Sequence, residues 1–269
     1  MPLPLSVFVI TLNEAARLGA TLDAVRPWAG EIVVVDSGST DATVEIARAH
    51  GARVFHRDWS GFGQQKRFAE DQCTHDWLLN LDADEIVTAD LAAEIAELFS
   101  SDAPDPALFN VRILNVYPGS LRPRPFASDY NVVRLYHRSQ GRYRDHAVYD
   151  RIEPEAGATV RQLRGALHHF PVVDIAQMVH KGNRHSGHAI ERLAKRPRWQ
   201  LKLRLPVQFP WSFLQFYLFR GHIFGGWKGF AFALNGAFMR TMRIAKALEY
   251  REKLAADVNR AGPPTAKAG

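Results

Sequence analysis

Four times within the first hundred residues a short apolar run is followed by a segment with helical periodicity, and this alternation limits the fold more than any other feature of the chain. Leu5–Thr11 is apolar and rich in β-branched residues; it passes through Asn13 and Glu14 into a helical pattern over Leu18, Leu22 and Val25 that stops before Pro27. Ile32, Val33, Val34 and Val35 form an unbroken apolar run, as expected of a strand covered on both faces of a parallel sheet. Ser37-Gly38-Ser39-Thr40 then turns the chain, and Asp41 is a suitable N-cap for a helix over Val44–Ala49. Arg53–His56 reads as a third strand, Gln64–Cys73 as a third helix, Trp77–Leu81 as a fourth strand and Leu91–Phe99 as the helix after it. Strand and helix in alternation predict a doubly wound α/β domain with a Rossmann-like, mostly parallel sheet.

After Ser100 the pattern changes. Pro104, Pro106, Pro118, Pro123 and Pro125 punctuate strand-like runs at Leu108–Tyr117 and Asn131–His137, where loops and antiparallel edge strands are expected. A further strand-like run spans Thr159–Leu167; from about Ile175 the pattern is helical, and from Phe209 it is unusually aromatic. The expected division is an α/β domain over 1–170, a helical, amphipathic and aromatic extension over 171–260, and a disordered tail at 261–269. Cys73 is the one cysteine among 269 residues, which excludes an intrachain disulfide and any cysteine-built zinc or iron–sulfur site. Met1–Thr11 has neither a basic flank nor a small-residue cleavage site, so no signal peptide is expected. The longest charge-free run, the 15 residues Leu205–Phe219, contains Pro206 and Pro210 and falls short of a membrane span, which needs about 20 apolar residues.

The net charge of +6 is unevenly spread. Residues 1–100 carry 7 basic and 16 acidic side chains, whereas residues 191–260 carry 14 basic and 4 acidic. An acidic N-terminal part argues against nucleic acid as a partner, while the basic last third suits an anionic surface. At about 100° per residue, Phe230, Leu234, Phe238, Met242, Ala245 and Leu248 fall on one helix face, with Arg240, Arg243 and Lys246 opposite. An anionic membrane is the expected partner of such a helix; a packed helical subdomain or a dimer interface is the plainer alternative.

Ligands of open α/β sheets bind beyond the carboxyl ends of the strands. There the first strand presents Thr11, Asn13 and Glu14, the second Asp36, Ser37 and Ser39, and the fourth Asp82-Ala83-Asp84-Glu85. Carboxylates gathered at one edge repel unless they face a cation or hydrogen-bond donors. Asp82 and Asp84, two apart at a strand end, project to one side and together suit a hard divalent cation. Short acidic triplets also occur at ordinary turns, and Glu85 reads as a helix-start charge. The loop after Asp36 lacks the spaced glycines of a dinucleotide site and the Gly-Lys-Ser/Thr of a P-loop, but Asp36 can accept a hydrogen bond from a base. Gly61–Lys66 places a loop before a helix, from which Lys66 can approach phosphate or base, although a lysine so placed is commonly solvated.

Thr11–Glu14, Val35–Asp41, Gly61–Lys66 and Asp82–Asp84, in this order and separation, resemble the family 2 glycosyltransferases with the GT-A fold, and more narrowly the bacterial lipopolysaccharide core glucosyltransferases. The resemblance implies a uridine diphosphate sugar donor, with Thr11, Glu14, Asp36 and Lys66 near the nucleoside, Asp82 near the ribose or metal, and Asn13, Ser39 and Ala83 also among the donor-binding residues. It implies Asp84 as a ligand of Mg²⁺ or Mn²⁺, joined by a downstream histidine, for which His169 is chosen over His168. Relatives carry His-Glu where this chain has Tyr149-Asp150, which makes Asp150 the candidate base; Asp145 competes, and an isolated Asp150 would simply pair with Arg144 or Arg151. Lys181 and Arg184 are candidates for donor or acceptor phosphates, relatives tend to have tyrosine at His185, and Gly225-Gly226 replaces an Asp-Gly of relatives. The implied activity is inverting, metal-dependent transfer of a hexose, glucose by resemblance, to a glycolipid acceptor of the lipopolysaccharide inner core, by a peripheral enzyme at the cytoplasmic face of the inner membrane. The same chemistry on a polyprenyl phosphate or another polysaccharide, and a non-catalytic basic module that binds membrane or nucleic acid, are the alternatives.

Overall fold

Each of the four apolar runs in the first hundred residues becomes a strand of one eight-stranded sheet in the computed structural model, which describes residues 2–100, 104–127, 129–147, 150–187 and 190–261. The chain forms two compact units; the first holds the sheet and comprises residues up to 116, 121–123 and 129–171. Its elements are β1 (Leu3–Thr11), α1 (Leu18–Asp23), β2 (Ala29–Asp36), α2 (Thr43–Ala49), β3 (Arg53–His56), α3 (Phe62–Gln72), β4 (Trp77–Asp82), β5 (Glu85–Val87), α4 (Ala89–Leu98), β6 (Leu108–Asn115), β7 (Asp129–His137), β8 (Gly141–Tyr143), β9 (Ile152–Pro154) and β10 (Val160–His169). The sheet order is β3-β2-β1-β4-β7-β6-β10-β5, while β8 and β9 pair separately.

β1, β2, β3 and β4 run parallel, as do β6 and β10. β7 is antiparallel to both β4 and β6. The antiparallel strand expected at an edge therefore lies inside the sheet, hydrogen-bonded to β4 along one edge and to β6 along the other. Burial explains the unbroken apolar runs: Val7 and Val9 of β1 pack with Leu79, Leu81, Leu18, Leu22 and Leu91 on one face, and Phe8 packs with Val33, Val35, Leu78 and Ala69 on the other. Each such side chain contributes about 1.5–3 kcal/mol of burial. α2 begins one residue before the expected Val44 with Ala42, not Asp41, at its N-cap; Asp41, one position further out, still accepts the N–H of Thr43 at 3.1 Å. Glu85, read from sequence as a helix-start charge, sits in β5, which pairs antiparallel with the end of β10.

Register sets the site. Thr11 lies opposite Asp36 and Ile10 opposite Asp82, so the carboxyl ends of β2, β1 and β4 form one row. At about 4.8 Å per strand, Asp36 and Asp82 stand roughly 10 Å apart.

The second unit comprises residues 117–120, 124–128 and those from Val172 onward. It contains α5 (Ile175–Gly187), α6 (Ile190–Ala194), α7 (Arg198–Leu214), a π-helical turn (Gln215–Phe219), a 3₁₀ turn (His222–Gly225) and α8 (Gly226–Ala261). Ala233, Ala237, Ile244 and Ala247 form the buried face of α8, with Leu201 of α7 packed into the same cluster as Ile244 and Ala247. The apolar stripe Phe230, Leu234 and Phe238 stays nearly half exposed. The basic row read as facing outward is instead engaged within the unit: Lys246 Nζ donates to Asn183 Oδ1 at 2.8 Å and Ser186 Oγ at 2.6 Å, and Arg240 donates to Gln215 and lies over the Phe216 ring. A helical wheel gives the angle between the two faces but not which of them meets a neighbour. Among the described residues no helix is long and apolar enough to cross a membrane. Of the tail expected at 261–269 only Ala261, the last residue of α8, is described; Tyr149 and the side chain of His185 also lie outside the described residues.

Candidate active site

The loops that follow β1 and β2 are tied together by polar contacts. Asn13 takes a left-handed conformation (φ 56°), which asparagine tolerates, and thereby donates its N–H to Ser39 Oγ at 2.8 Å while its Oδ1 accepts the N–H of Thr40 at 2.8 Å. Glu14 donates its N–H to Thr43 Oγ1 at 2.8 Å. Asp36 accepts four hydrogen bonds, from Thr11 Oγ1, Ser39 Oγ and the N–H groups of Gly38 and Ser39. Burial pushes the Asp36 carboxyl up, but these donors outweigh it and hold it below the usual carboxylate range.

At the end of β4 lies a buried charge network. The Lys66 side chain is 1% exposed, not solvated, and its Nζ lies 3.0 Å from Asp82 Oδ1 and 2.8 Å from Asp150 Oδ1. Arg134 reaches Asp82 Oδ2 at 2.7 Å, Glu85 Oε1 at 2.6 Å and Asn80 Oδ1 at 2.6 Å. Burial alone would push the Lys66 ammonium down, yet the carboxylates of Asp82 and Asp150 lift it above the ordinary lysine value. For Asp82 burial acts upward and is overcome by Arg134 and Lys66, which hold the carboxyl far below its usual range. Glu85, almost wholly buried, is pushed up by burial more than Arg134 lowers it. Tyr143 completes the wall: its hydroxyl donates to Asn80 Oδ1 at 2.8 Å, its ring lies 5.3 Å from Lys66 Nζ, and burial pushes it to about 12.

Two residues further on, Asp84 enters a second cluster. Arg17 Nη1 donates to Asp84 Oδ2 at 3.2 Å and to the carbonyl of Phe170 at 2.9 Å, and the same guanidinium pairs with Glu14. His169 Nε2 stands 3.4 Å from Asp84 Oδ2, and its Nδ1 lies 2.8 Å from Asn115 Oδ1. Burial pushes the His169 imidazole down, but the hydrogen bond and charge of Asp84 raise it above the ordinary histidine value. His168 faces elsewhere, lining a depression of about 340 Å³ with Thr88 and Arg112. Ala83 is buried and gives its carbonyl to Thr21 Oγ1 at 2.9 Å, so it contributes through the backbone.

The donor set fits a divalent cation of the oxygen-preferring kind. Asp84 and His169 are two largely covered ligand groups on one spot, and magnesium or manganese is commonly held by one or two carboxylates plus substrate phosphates and water. Among the described residues no group of three His, Cys, Asp or Glu is arranged to hold a metal. The charge now opposite Asp84 is the guanidinium of Arg17.

The sequence-derived candidates thus assemble into three groups: Thr11, Asn13, Asp36 and Ser39; Lys66, Asp82 and Asp150; Glu14, Asp84 and His169. Asp150 does not pair with Arg144, which bonds Glu153, but with Lys66 from the start of α3. Its segment is also tied to that helix by the N–H of Phe62, which donates to the Ala147 carbonyl at 3.1 Å, at the point where Gly61 (φ +133°) approaches so closely that a Cβ there would lie 2.3 Å from Ala147 Cα. Asp145 is exposed on the same segment. Lys181 and Arg184 belong to α5 of the second unit. Sequence reasoning passed over Arg17, Arg134 and Tyr143. A charge interrupting the apolar run Val132–Tyr136 was a legible signal for Arg134; Arg17 gave none beyond standing three residues after Glu14.

Comparison with known proteins bears on this geometry. A lipopolysaccharide core biosynthesis glycosyltransferase, LpsC, of Rhizobium meliloti is 32% identical over 263 residues, 91% of this chain and 92% of that one. An uncharacterized glycosyltransferase of Rickettsia prowazekii is 34% identical over 251 residues, 90% of this chain and 86% of the relative. Among solved structures, Staphylococcus aureus TarS 1–349 aligns with 94% of this chain and 92% of its own at 14% identity and a TM-score of 0.48. Glucosyl-3-phosphoglycerate synthase of Mycobacterium tuberculosis, crystallised with Mg²⁺ and UDP, aligns with 43% of this chain and 44% of its own at 24% identity and a TM-score of 0.33. The model of "Glycosyl transferase family 2" matches residues 6–161, a span that begins in β1 and ends in β10 and carries every carboxylate of the three groups. The fold is of the GT-A type, and the chain belongs to glycosyl transferase family 2.

Proposed function

We propose that this glycosyltransferase moves a hexose, glucose by its resemblance, from a uridine diphosphate sugar to a hydroxyl of a glycolipid acceptor in the lipopolysaccharide inner core, with inversion at the sugar carbon. The observation that carries the reading is the pair of carboxylate clusters at the end of β4, one holding Asp150 through Lys66 and the other pairing Asp84 with His169. The likeness to a lipopolysaccharide core glycosyltransferase over nearly the whole chain supports the acceptor class.

In this reading Thr11, Asn13, Glu14, Asp36 and Ser39 receive the nucleoside. The hydroxyls on Asp36 can rotate away and release an acceptor oxygen to a base N–H. Asp82 and Ala83 line the ribose side, and Asp82 also anchors the two buried cations. Asp84 and His169 would hold Mg²⁺ or Mn²⁺, whose charge offsets that developing on the departing diphosphate. Arg17 pairs with both Asp84 and Glu14 and offsets their charge. Asp150 takes the proton of the acceptor hydroxyl, and when it does so Lys66 is not left unpaired, because Asp82 remains beside it. The tie to Lys66 favours Asp150 over the exposed Asp145 as the base.

The second unit serves as the peripheral anchor to the cytoplasmic face of the inner membrane. Trp199, Leu203, Val207 and Trp211, spaced four apart on α7, and Trp227, Phe230 and Leu234 on α8 are all more than 40% exposed. Their surroundings carry the strongly basic last third of the chain.

Titrating UDP into the protein with and without Mn²⁺ tests the central assignment. Asp84→Asn should abolish the Mn²⁺-dependent gain in UDP affinity and reduce turnover by orders of magnitude; an undiminished gain would remove the metal site and this reading with it. Screening nucleotide sugars for release of free nucleotide identifies the donor.

A further inference from the structure

We infer that the helical unit carries a phosphate-binding pocket of its own, formed by Arg196, Arg204, Arg240 and Arg243 where α7 and α8 meet the end of α6. Two depressions, of about 340 and 320 Å³, share Arg204, Gln208 and Arg240; Arg196 and Arg243 complete the lining of the second. Among the described residues no aspartate or glutamate lines either of them.

Four guanidiniums on one concave surface repel one another, and the described residues supply no ion pair to any of the four. Arg204 donates to the amide oxygen of Gln208 at 3.1 Å and Arg240 to that of Gln215, both neutral acceptors. Arg243 Nε is shielded from solvent and has no hydrogen-bond partner. Elsewhere in the same unit arginine finds a carboxylate, as Arg198 does with Glu252, so the absence at the pocket is local. Burial, and then the charges of Arg220 and Arg243, push the Arg240 guanidinium down from its ordinary value, as expected where like charges stand uncompensated.

A phosphate group answers this arrangement. It brings up to two negative charges and several acceptor oxygens that match the planar fork of arginine. A carboxylate has too few acceptors to engage four guanidiniums. The other wall of the first depression is apolar, with Val207 and Trp211, so the preferred ligand is a phosphate attached to apolar or sugar material. Either a lipid headgroup or a free phosphate ester supplies that chemistry. The pocket belongs to the helical unit alone and does not depend on the transferase reading.

The test uses the full-length protein at fixed ionic strength. Its binding is compared on vesicles of phosphatidylcholine mixed with phosphatidic acid and on vesicles with the same surface charge supplied by oleate. In parallel, inorganic phosphate is titrated while tryptophan fluorescence is read, with Trp211→Phe marking the part that reports on the pocket. Arg196→Gln/Arg204→Gln changes two exposed side chains, and circular dichroism confirms that it folds. About tenfold tighter binding to phosphatidic acid than to oleate vesicles, lost in the double variant while its circular dichroism is unchanged, establishes the pocket with a lipid phosphate as its ligand. A Trp211-dependent response to inorganic phosphate, lost in the same variant, establishes it for a free phosphate group. Equal binding to the two vesicle types without a phosphate response, or an excess that survives in the double variant, overturns the inference.

Discussion

Replacing Arg134 by methionine should destabilise the sheet unit more than the same replacement of Lys66, although both cations bind Asp82. Arg134 is the only cation paired with Glu85 among the described residues, and the Glu85 side chain is 1% exposed, so its removal leaves that carboxylate with the Asp82 N–H at 3.0 Å and no counter-charge. Breaking a buried pair in this way costs about 3–5 kcal/mol. Lys66 is equally buried, but the carboxylates it leaves behind are part-exposed as side chains: Asp82, 36% exposed and still held by Arg134, and Asp150, 38% exposed although its Oδ1, which faces Lys66, is shielded. The expected loss is about 1–3 kcal/mol. Urea denaturation of Arg134→Met and Lys66→Met should separate the two midpoints in that order, and Glu85→Gln in the Arg134→Met background should recover at least about 1 kcal/mol by removing the stranded charge. An equal or larger loss for Lys66→Met, or no recovery from Glu85→Gln, would refute the assignment of compensating charges.

Asp150→Asn should leave UDP affinity nearly intact and lower turnover by about 10²–10⁴, the range of general-base catalysis, while Asp145→Asn changes little; steady-state kinetics showing the reverse would move the base to Asp145. His222 Nδ1 shares a hydrogen bond of 2.6 Å with Tyr117 Oη, and burial followed by the charges of Arg124 and Arg220 pushes its imidazole down to about 4. The unfolded chain, with an ordinary histidine near 6.5, therefore binds more protons between pH 6.5 and 4, so stability falls as pH drops through that window and levels off below it. After allowance for partial exposure the loss is about 1–2 kcal/mol, and thermal melts of His222→Gln should lack that part of the pH dependence. Trp199→Gln/Leu203→Gln/Trp227→Gln should weaken flotation with all anionic vesicles while activity on a short soluble acceptor persists; unchanged flotation would assign the exposed stripe to another role.

The local grammar of the first hundred residues was legible because strands buried on both faces must be continuously apolar and the helices between them must show one apolar stripe. The carboxylates at the strand ends were legible for a related reason: a polar residue directly after such a run can only be at the sheet edge. Distant pairings were not. Lys66 looks like any helix lysine until Asp150 and Asp82, from two other parts of the chain, close over it. Glu85 resembles a helix-start acid because it precedes α4, and only its pairing with β10 and with Arg134 fixes it in a strand. β7 was placed at an edge because prolines flank it, yet those prolines lie in the loops and leave the strand free to pair on both sides. On α8 the periodicity was right, but alanines rather than phenylalanines make the close contact, since small residues are what let helices approach.

The glycine at the mouth of α3 makes two distant parts of the chain mechanically inseparable. With Gly61 pressed against the backbone of Ala147 and Phe62 bonded to its carbonyl, the segment that presents Asp150 is clasped to the helix that presents Lys66. Any displacement of Ala147 must drag the first turn of α3 along or break the Phe62 hydrogen bond first. The cation that this helix carries is thus held twice, by the bond of Phe62 to Ala147 and by its ion pairs with Asp82 and Asp150, and a methyl group at Gly61 would press on Ala147 without touching any atom of those side chains.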